Sequence, residues 1–258
     1  MATVVRACMP LPPAAVASSS AAPSTDAQAQ RRSSSSSARV LVLGGTGRVG
    51  GSTATALSKL RPDLNILIAG RNLEKGESLA SKLGDESEFV QVDIRDRNML
   101  EEVLQDVDLV VHAAGPFQRE NECTVLQAAI ATKTAYIDVC DDTDYSWRAK
   151  GFHEQAKDCG IPAITTAGIY PGVSNGLTSH FYQTYQSVGY ATAAFVLAVL
   201  EGSTQPGVWF PEEAEGLAIE SRKVLLERAS QGTTIFVMNK PSWMIETDPK
   251  EVGLGIYV

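Results

Sequence analysis

Val40-Leu41-Val42-Leu43-Gly44-Gly45-Thr46-Gly47-Arg48-Val49-Gly50-Gly51 decides the fold, because a short apolar run drops straight into closely spaced glycines and then into helix-forming residues. This order predicts a doubly buried parallel strand, a phosphate-binding turn and a helix. Gly45, Gly47 and Gly50 stand at the G-x-G-x-x-G spacing, which permits a tight turn, close approach of backbone to a pyrophosphate, and packing of the helix on the strand. The anionic centre of a ligand then lies on the amides that open the helix, around Arg48 to Gly51, with Thr46 and Val49 in the same turn. A glycine-rich turn that holds no ligand has the same local pattern, so the flanking residues carry the decision.

On the carboxyl side, Val49, Ala54, Leu57 and Leu60 supply the inner face of a helix that stops near Arg61-Pro62-Asp63, and Asn65 to Ala69 forms a second strand. That completes a βαβ unit of the length the dinucleotide motif requires. Enzymes that use the non-phosphorylated dinucleotide place an acid roughly 20 residues beyond the glycines, on the ribose hydroxyls. Here the strand ends instead in Ala69-Gly70-Arg71-Asn72, with Lys75 one turn further on. A guanidinium grips a 2′-phosphate through paired, charge-assisted hydrogen bonds that a carboxylate would repel, so the expected cofactor is NADP(H). The alternative for Arg71 is a solvated arginine at a strand end.

The βα alternation then continues. Phe89 to Val92 is a third strand ending in Asp93, Asn98 to Leu104 a short helix, and Leu109 to His112 a fourth strand that runs into Ala113-Ala114-Gly115-Pro116-Phe117. Those small residues stand where backbone passes close to a ligand. A helix from about Glu122 to Thr132, a strand Ala135 to Val139, a helix from about Tyr145 to Cys159 and a strand Ile161 to Thr165 follow. The predicted fold class is α/β, a Rossmann-type doubly wound parallel sheet with helices on both faces and ligands at its carboxyl edge.

Composition divides the 258 residues near position 38. The first 38 contain nine serines, ten alanines and three arginines, with Asp26 the only acid. They are read as a plastid or mitochondrial transit peptide, the clustered Ser33 to Ser37 and the proline-rich start favouring the plastid, with a merely disordered tail as the alternative, and lie outside the fold. From residue 39 on there are 19 basic and 29 acidic side chains. That balance argues against a nucleic-acid partner or an anionic membrane surface, and no run of about 20 apolar residues exists to span a bilayer. Cys8, Cys123, Cys140 and Cys159 show neither C-x-x-C spacing nor an accompanying histidine cluster, so no metal site is expected. His112, His153 and His180 are scattered and read as structural or surface residues.

Together, Leu43 to Gly50, Ala69-Gly70-Arg71-Asn72, Ala113 to Phe117, Ala135-Tyr136-Ile137-Asp138 and Gly168-Ile169-Tyr170-Pro171-Gly172-Val173-Ser174-Asn175 resemble the saccharopine dehydrogenase/reductase-like family, in particular its plant and cyanobacterial members. The resemblance runs from about residue 39 to residue 175 and returns at Ser203 to Glu213. It implies an NADP(H)-dependent oxidoreductase acting on a C–N bond, with the dinucleotide on Gly45 to Gly50, Arg71, Asp93 and the Ala113 to Phe117 loop. It also implies a substrate domain of on the order of 100 residues or more after the Asn175 loop. This chain has only Gly176 to Ser187 there. The organisation is therefore read as a Rossmann domain over 39–175, a shortened junction over 176–190 and a helical carboxy-terminal segment over 191–258. Catalysis by so shortened a chain is in question. Ala191 to Leu200 is expected to pack as a core helix, and apolar stretches such as Ile235 to Met238 make a homo-oligomer an expected outcome if left uncovered.

For the proton trade that accompanies hydride transfer to or from a C–N bond, Asp138 and Asp142 are the best-placed acids. The alternative is that Asp138 caps the next element and Asp141, Asp142 and Asp144 form an acidic first helical turn. Cys140 has no base beside it and reads as a structural thiol. Two other functions stay open. One is a non-catalytic NADP(H)-binding or redox-sensing subunit. The other is an atypical short-chain dehydrogenase, which would need a tyrosine with a lysine four residues on. Tyr145 is followed at that distance by Ala149, with Lys150 one place off.

Overall fold

The computed structural model describes residues 37–169 and 185–231. In chain order the elements are β1 (Arg39–Leu43), α1 (Arg48–Leu60), β2 (Asn65–Gly70), α2 (Leu73–Leu83), β3 (Ser87–Gln91), α3 (Arg97–Leu104), β4 (Leu109–His112), α4 (Thr124–Thr132), β5 (Ala135–Asp138), α5 (Thr143–Lys150), α6 (His153–Asp158), β6 (Pro162–Ile164), α7 (Tyr185–Leu200), β7 (Gly207–Trp209) and α8 (Ile219–Ser230). The strands form one parallel sheet in the order β3-β2-β1-β4-β5-β6-β7. The order reverses between β1 and β4, which pair Val40 with Leu109 and Leu43 with His112. That reversal is the switch point at whose carboxyl edge doubly wound sheets bind ligands.

Each central strand is buried on both faces, so its residues are apolar throughout and sort by parity. Val40, Val42, Ile66, Ile68, Leu109, Val111, Ile137 and Ile164 face α1, α7 and α8. Leu41, Leu43, Leu67, Ala69, Val110, Tyr136, Ala163 and Val208 face α3 to α6. The helices start where side-chain caps permit: Asn72, Asp96 and Asp142 accept the amides of Lys75, Met99 and Tyr145 at the openings of α2, α3 and α5.

Three features depart from the sequence expectation. The helix expected from Tyr145 to Cys159 is two helices. Gly151 donates to the carbonyls of both Trp147 and Arg148, which tightens and ends α5, and α6 begins afresh after Phe152. A seventh strand, β7, extends the sheet within the carboxy-terminal segment read as helical, pairing Ala163 with Val208 and Ile164 with Trp209. Finally, the core helix expected from Ala191 begins at Tyr185, six residues earlier and inside the stretch read as a junction.

Twelve of the sixteen residues of α7 are buried, as befits a helix apolar on nearly every side. It lies in the cluster formed with the sheet, α1 and α8. Its apolar surface is therefore covered within the chain. α8 is bound to it at the far end by the two-pronged pair of Arg228 with Glu201, at 2.7 and 2.8 Å. Among the described residues no helix is long and apolar enough to cross a membrane. The stretch Ile235 to Met238 lies outside the described residues, as does most of the Gly168 to Asn175 loop.

Candidate functional site

The loop after β1 is folded by its own backbone. Gly45 donates to the carbonyls of Val42 and Ala69, Gly47 to Gly44, and Gly51 to Gly47. The amides of Arg48, Val49 and Gly50 open α1 and have no intrahelical acceptor, and Gly47 at the N-cap offers no side chain to take one. Three donors thus point along the positive end of a thirteen-residue helix with no side-chain cap among the described residues. At Gly44 and Gly50 an added Cβ would strike backbone. Gly44 has φ +76°, and a Cβ there would sit 2.6 Å from the carbonyl oxygen of Ala113; a Cβ on Gly50 would overlap the Gly44 carbonyl. Gly44, outside the G-x-G-x-x-G triplet, is thus the residue whose conformation demands glycine, and its signal was the doubled Gly44-Gly45.

The other expected cofactor residues gather on this edge. Thr46 lies against Gly70, where an added Cβ would meet its hydroxyl at 2.9 Å, so the loop abuts the end of β2. Arg71 follows directly and is exposed, its carbonyl accepting from the Gln91 side chain at 3.0 Å, while its guanidinium has no partner among the described residues. Asp93 is half-buried just beyond β3 and accepts from the Arg95 amide in a tight turn. Ala113 donates to Leu43, continuing the β1–β4 ladder beside Gly44, with Ala114 half-buried and Gly115 and Pro116 exposed. The uncapped cradle, the free guanidinium and the absence of an acid at the end of β2 fit a dinucleotide bearing a 2′-phosphate.

Asp138 and Asp142 are differently placed. Asp138 is completely buried. Its Oδ1 accepts from the amides of Cys140 (3.0 Å) and Thr166 (2.8 Å) and the hydroxyl of Thr165 (3.1 Å), and its Oδ2 from the Tyr136 hydroxyl (3.0 Å). Burial pushes its carboxyl up, and those four hydrogen bonds pull the other way. It fastens the end of β5 to the end of β6 and holds Thr166 at φ +63°, a conformation rare for a β-branched residue. Asp138 is an internal bracket between two strand ends, and the helix that follows it is capped by Asp142, not by Asp138. Asp142 caps α5, accepting from the Tyr145 amide at 2.8 Å, and its other carboxylate oxygen has no partner among the described residues.

Around the bracket lies a buried aromatic cluster that the sequence did not announce. His112, at the end of β4, meets Phe117 edge-on at 4.8 Å and lies 6.4 to 6.5 Å from Tyr136 and Tyr145. Burial drives its imidazole down to about 3, so it is neutral, and its Nδ1 accepts from the Ala114 amide at 3.4 Å. The Tyr145 hydroxyl faces Tyr136 at 3.4 Å and is pushed up by burial and by Asp138, while Lys150 is held elsewhere by Glu213 and the Trp209 ring. That tells against a short-chain-dehydrogenase tyrosine–lysine pair. Cys140 is likewise buried, with its thiol pushed up by burial and by Asp138, and accepts from the Asp142 amide.

A parallel sheet with its switch point at an uncapped glycine loop and a free arginine at the end of β2 defines a Rossmann-type NADP-binding domain. The family described as saccharopine dehydrogenase NADP binding domain matches residues 40–164, just under half of the chain, and supports the resemblance read from the sequence. Among curated proteins, carboxyaminopropylagmatine dehydrogenase of Synechocystis sp. is 26% identical over 153 residues, 55% of this chain and 37% of that protein. Among solved structures, saccharopine dehydrogenase (L-Glu forming) of Saccharomyces cerevisiae is 26% identical over 53% of this chain and 28% of its own, with a TM-score of 0.45. The 2-keto-3-deoxy-D-gluconate dehydrogenase of Streptococcus agalactiae is 14% identical over 69% of this chain and 93% of its own, with a TM-score of 0.47. The match to the curated relative spans little more than a third of its length.

Proposed function

We propose that this chain is an NADP(H)-dependent oxidoreductase that moves hydride at a carbon–nitrogen bond of an amino-acid-type substrate. The observation that carries the reading is the uncapped α1 amides beside the unengaged Arg71, inside the stretch that matches the saccharopine dehydrogenase NADP binding domain. When bound, the nicotinamide supplies or accepts the hydride. The chain's residues do the rest: the Thr46 to Gly50 backbone takes the pyrophosphate, Arg71 takes the 2′-phosphate, and Asp93 with Ala113 to Pro116 flanks the dinucleotide along the edge. With Asp138 enclosed, Asp142 is the carboxylate that trades a proton with the substrate nitrogen.

A second reading, NADP(H) binding without turnover, draws support from the enclosure of Asp138. Titration with NADPH and NADH, followed by assays of NADPH oxidation with an amine plus a 2-oxo acid and of NADP⁺ reduction with saccharopine, separates the two. Tighter binding of NADPH with turnover lost in Asp142→Asn supports the enzyme. Tight binding with no turnover supports the binding subunit, and failure to bind NADPH overturns both.

The serine-rich, acid-poor first 38 residues support import into a plastid with removal of that segment. Mass spectrometry of protein from isolated organelles is expected to find a new terminus between Ser33 and Arg39. Intact Met1 in a cytosolic fraction overturns this.

A further inference from the structure

The first turn of α7 forms one wall of the cofactor loop. Gly189 lies so close to α1 that a Cβ there would sit 2.5 Å from the backbone carbonyl of Ser52. One helical turn earlier on each helix, Tyr185 meets Arg48. The Arg48 Nη1 donates to the Tyr185 phenol oxygen at 2.9 Å, and the guanidinium carbon stands 5.3 Å from the centre of the ring. The backbone contact at Gly189 and Ser52 thus fixes the register that brings a half-exposed tyrosine onto an exposed arginine in the glycine loop.

Arg48 stands in the glycine loop whose Thr46 packs on the end of β2, the strand that Arg71 follows. It lines one groove of about 680 Å³ together with Thr46, Lys75, Gln186 and Tyr190, and Thr46 itself packs on Gly70, the residue before Arg71. Lys59 and Lys82 add positive charge to that groove, and Glu74 is its single acid among the described residues. A guanidinium has five N–H donors, and the phenol occupies one, so the remaining donors are available to phosphate oxygens. A long side chain already held in place gives up less freedom when a ligand arrives.

Building on the NADP(H) reading above, we infer that Tyr185 is a positioning residue for cofactor selectivity: it holds Arg48 as a second cation for the 2′-phosphate, in addition to Arg71. The role belongs to α7, which enters the fold only after the glycine loop, both dinucleotide strands and the switch point are complete.

The test is a double-mutant cycle on the full chain, with dissociation constants for NADPH and NADH measured by calorimetry for the parent, Arg48→Ala, Tyr185→Phe and the double variant. NADPH is expected to bind about tenfold more weakly to Arg48→Ala and about threefold more weakly to Tyr185→Phe. The double variant is expected to be no weaker than Arg48→Ala alone, and NADH to stay within about twofold of the parent throughout. A fold-stabilising role for Tyr185 would instead weaken both nucleotides together. A parent that binds NADPH while Tyr185→Phe is unchanged, or while the two effects multiply, or while NADH weakens equally, overturns this inference alone. A parent that binds neither nucleotide overturns the NADP(H) reading with it.

Discussion

Two turns on the same edge of the sheet, one after β1 and one after β5, treat their polar groups in opposite ways. After β1, three backbone donors open α1 without a cap, and the nearby Arg71 guanidinium has no partner among the described residues. After β5, Asp138 gathers four donors and Asp142 caps α5, so the polar groups largely consume one another. Unsatisfied donors at a surface are an invitation to an anion, whereas a fully bonded buried carboxylate is a fastening. Binding belongs to the first turn and integrity to the second.

The comparison breaks hardest at Gly50. Gly50→Val drives a branched side chain into the Gly44 carbonyl, and about a thousandfold loss of NADPH affinity, roughly 4 kcal/mol, is expected by titration. At the second turn the expected effect is on stability. Asp138→Ala strands buried donors and costs about 3 kcal/mol in chemical denaturation, with NADPH affinity of the folded protein kept. Asp138→Asn sharpens the point, since the amide oxygen keeps the three donors and the amide nitrogen donates to Tyr136 in place of accepting from it. A cost of about 1 kcal/mol is expected. Turnover that vanishes in this folded variant would return Asp138 to proton trade.

Arg71→Glu tests the first turn's selectivity by placing a carboxylate against the 2′-phosphate. NADPH is expected to weaken by about 100-fold, roughly 2.7 kcal/mol, with NADH little changed. A further effect is pH-dependent and comes from His112, beside the bracket. Its folded pKa of about 3 lies below the ordinary 6.5, so the stability of the neutral ring is present above pH 6.5 and lost as pH falls toward 3. Between pH 7 and pH 5 that amounts to about 2 kcal/mol. His112→Asn, which keeps an acceptor for the Ala114 amide, is expected to flatten the denaturation slope by that amount; equal slopes would show that His112 does not titrate in this window.

The contrast also marks what the sequence made legible. Val40 to Gly51 announced β1, the cradle and α1 because strand period, glycine spacing and helix period change over in twelve consecutive residues. Arg71 was readable for the same reason, standing at a fixed distance from the glycines. β7 was not, since a three-residue strand is too short to display an alternation. The start of α7 was hidden because a helix buried on nearly all sides has no polar face to give its period. Asp138 was visible as an acid at a strand end, but two of its four donors come from Thr165 and Thr166, 27 and 28 residues away. Tyr185 and Arg48 lie 137 residues apart, and no local pattern joins them.

β6 ends at Ile164, close to the Asp138 fastening, and α7 begins at Tyr185 on the loop that starts α1. The chain thus leaves its core and re-enters it along one and the same rim. Closing a longer flexible excursion between two fixed points costs only about 0.6 kcal/mol per doubling of its length. Connections of different length between Ile169 and Tyr185 are accordingly expected to leave the sheet and α7 as they are. A chimera carrying a foreign domain between those two residues should keep its affinity for the dinucleotide and take its choice of second ligand from the graft.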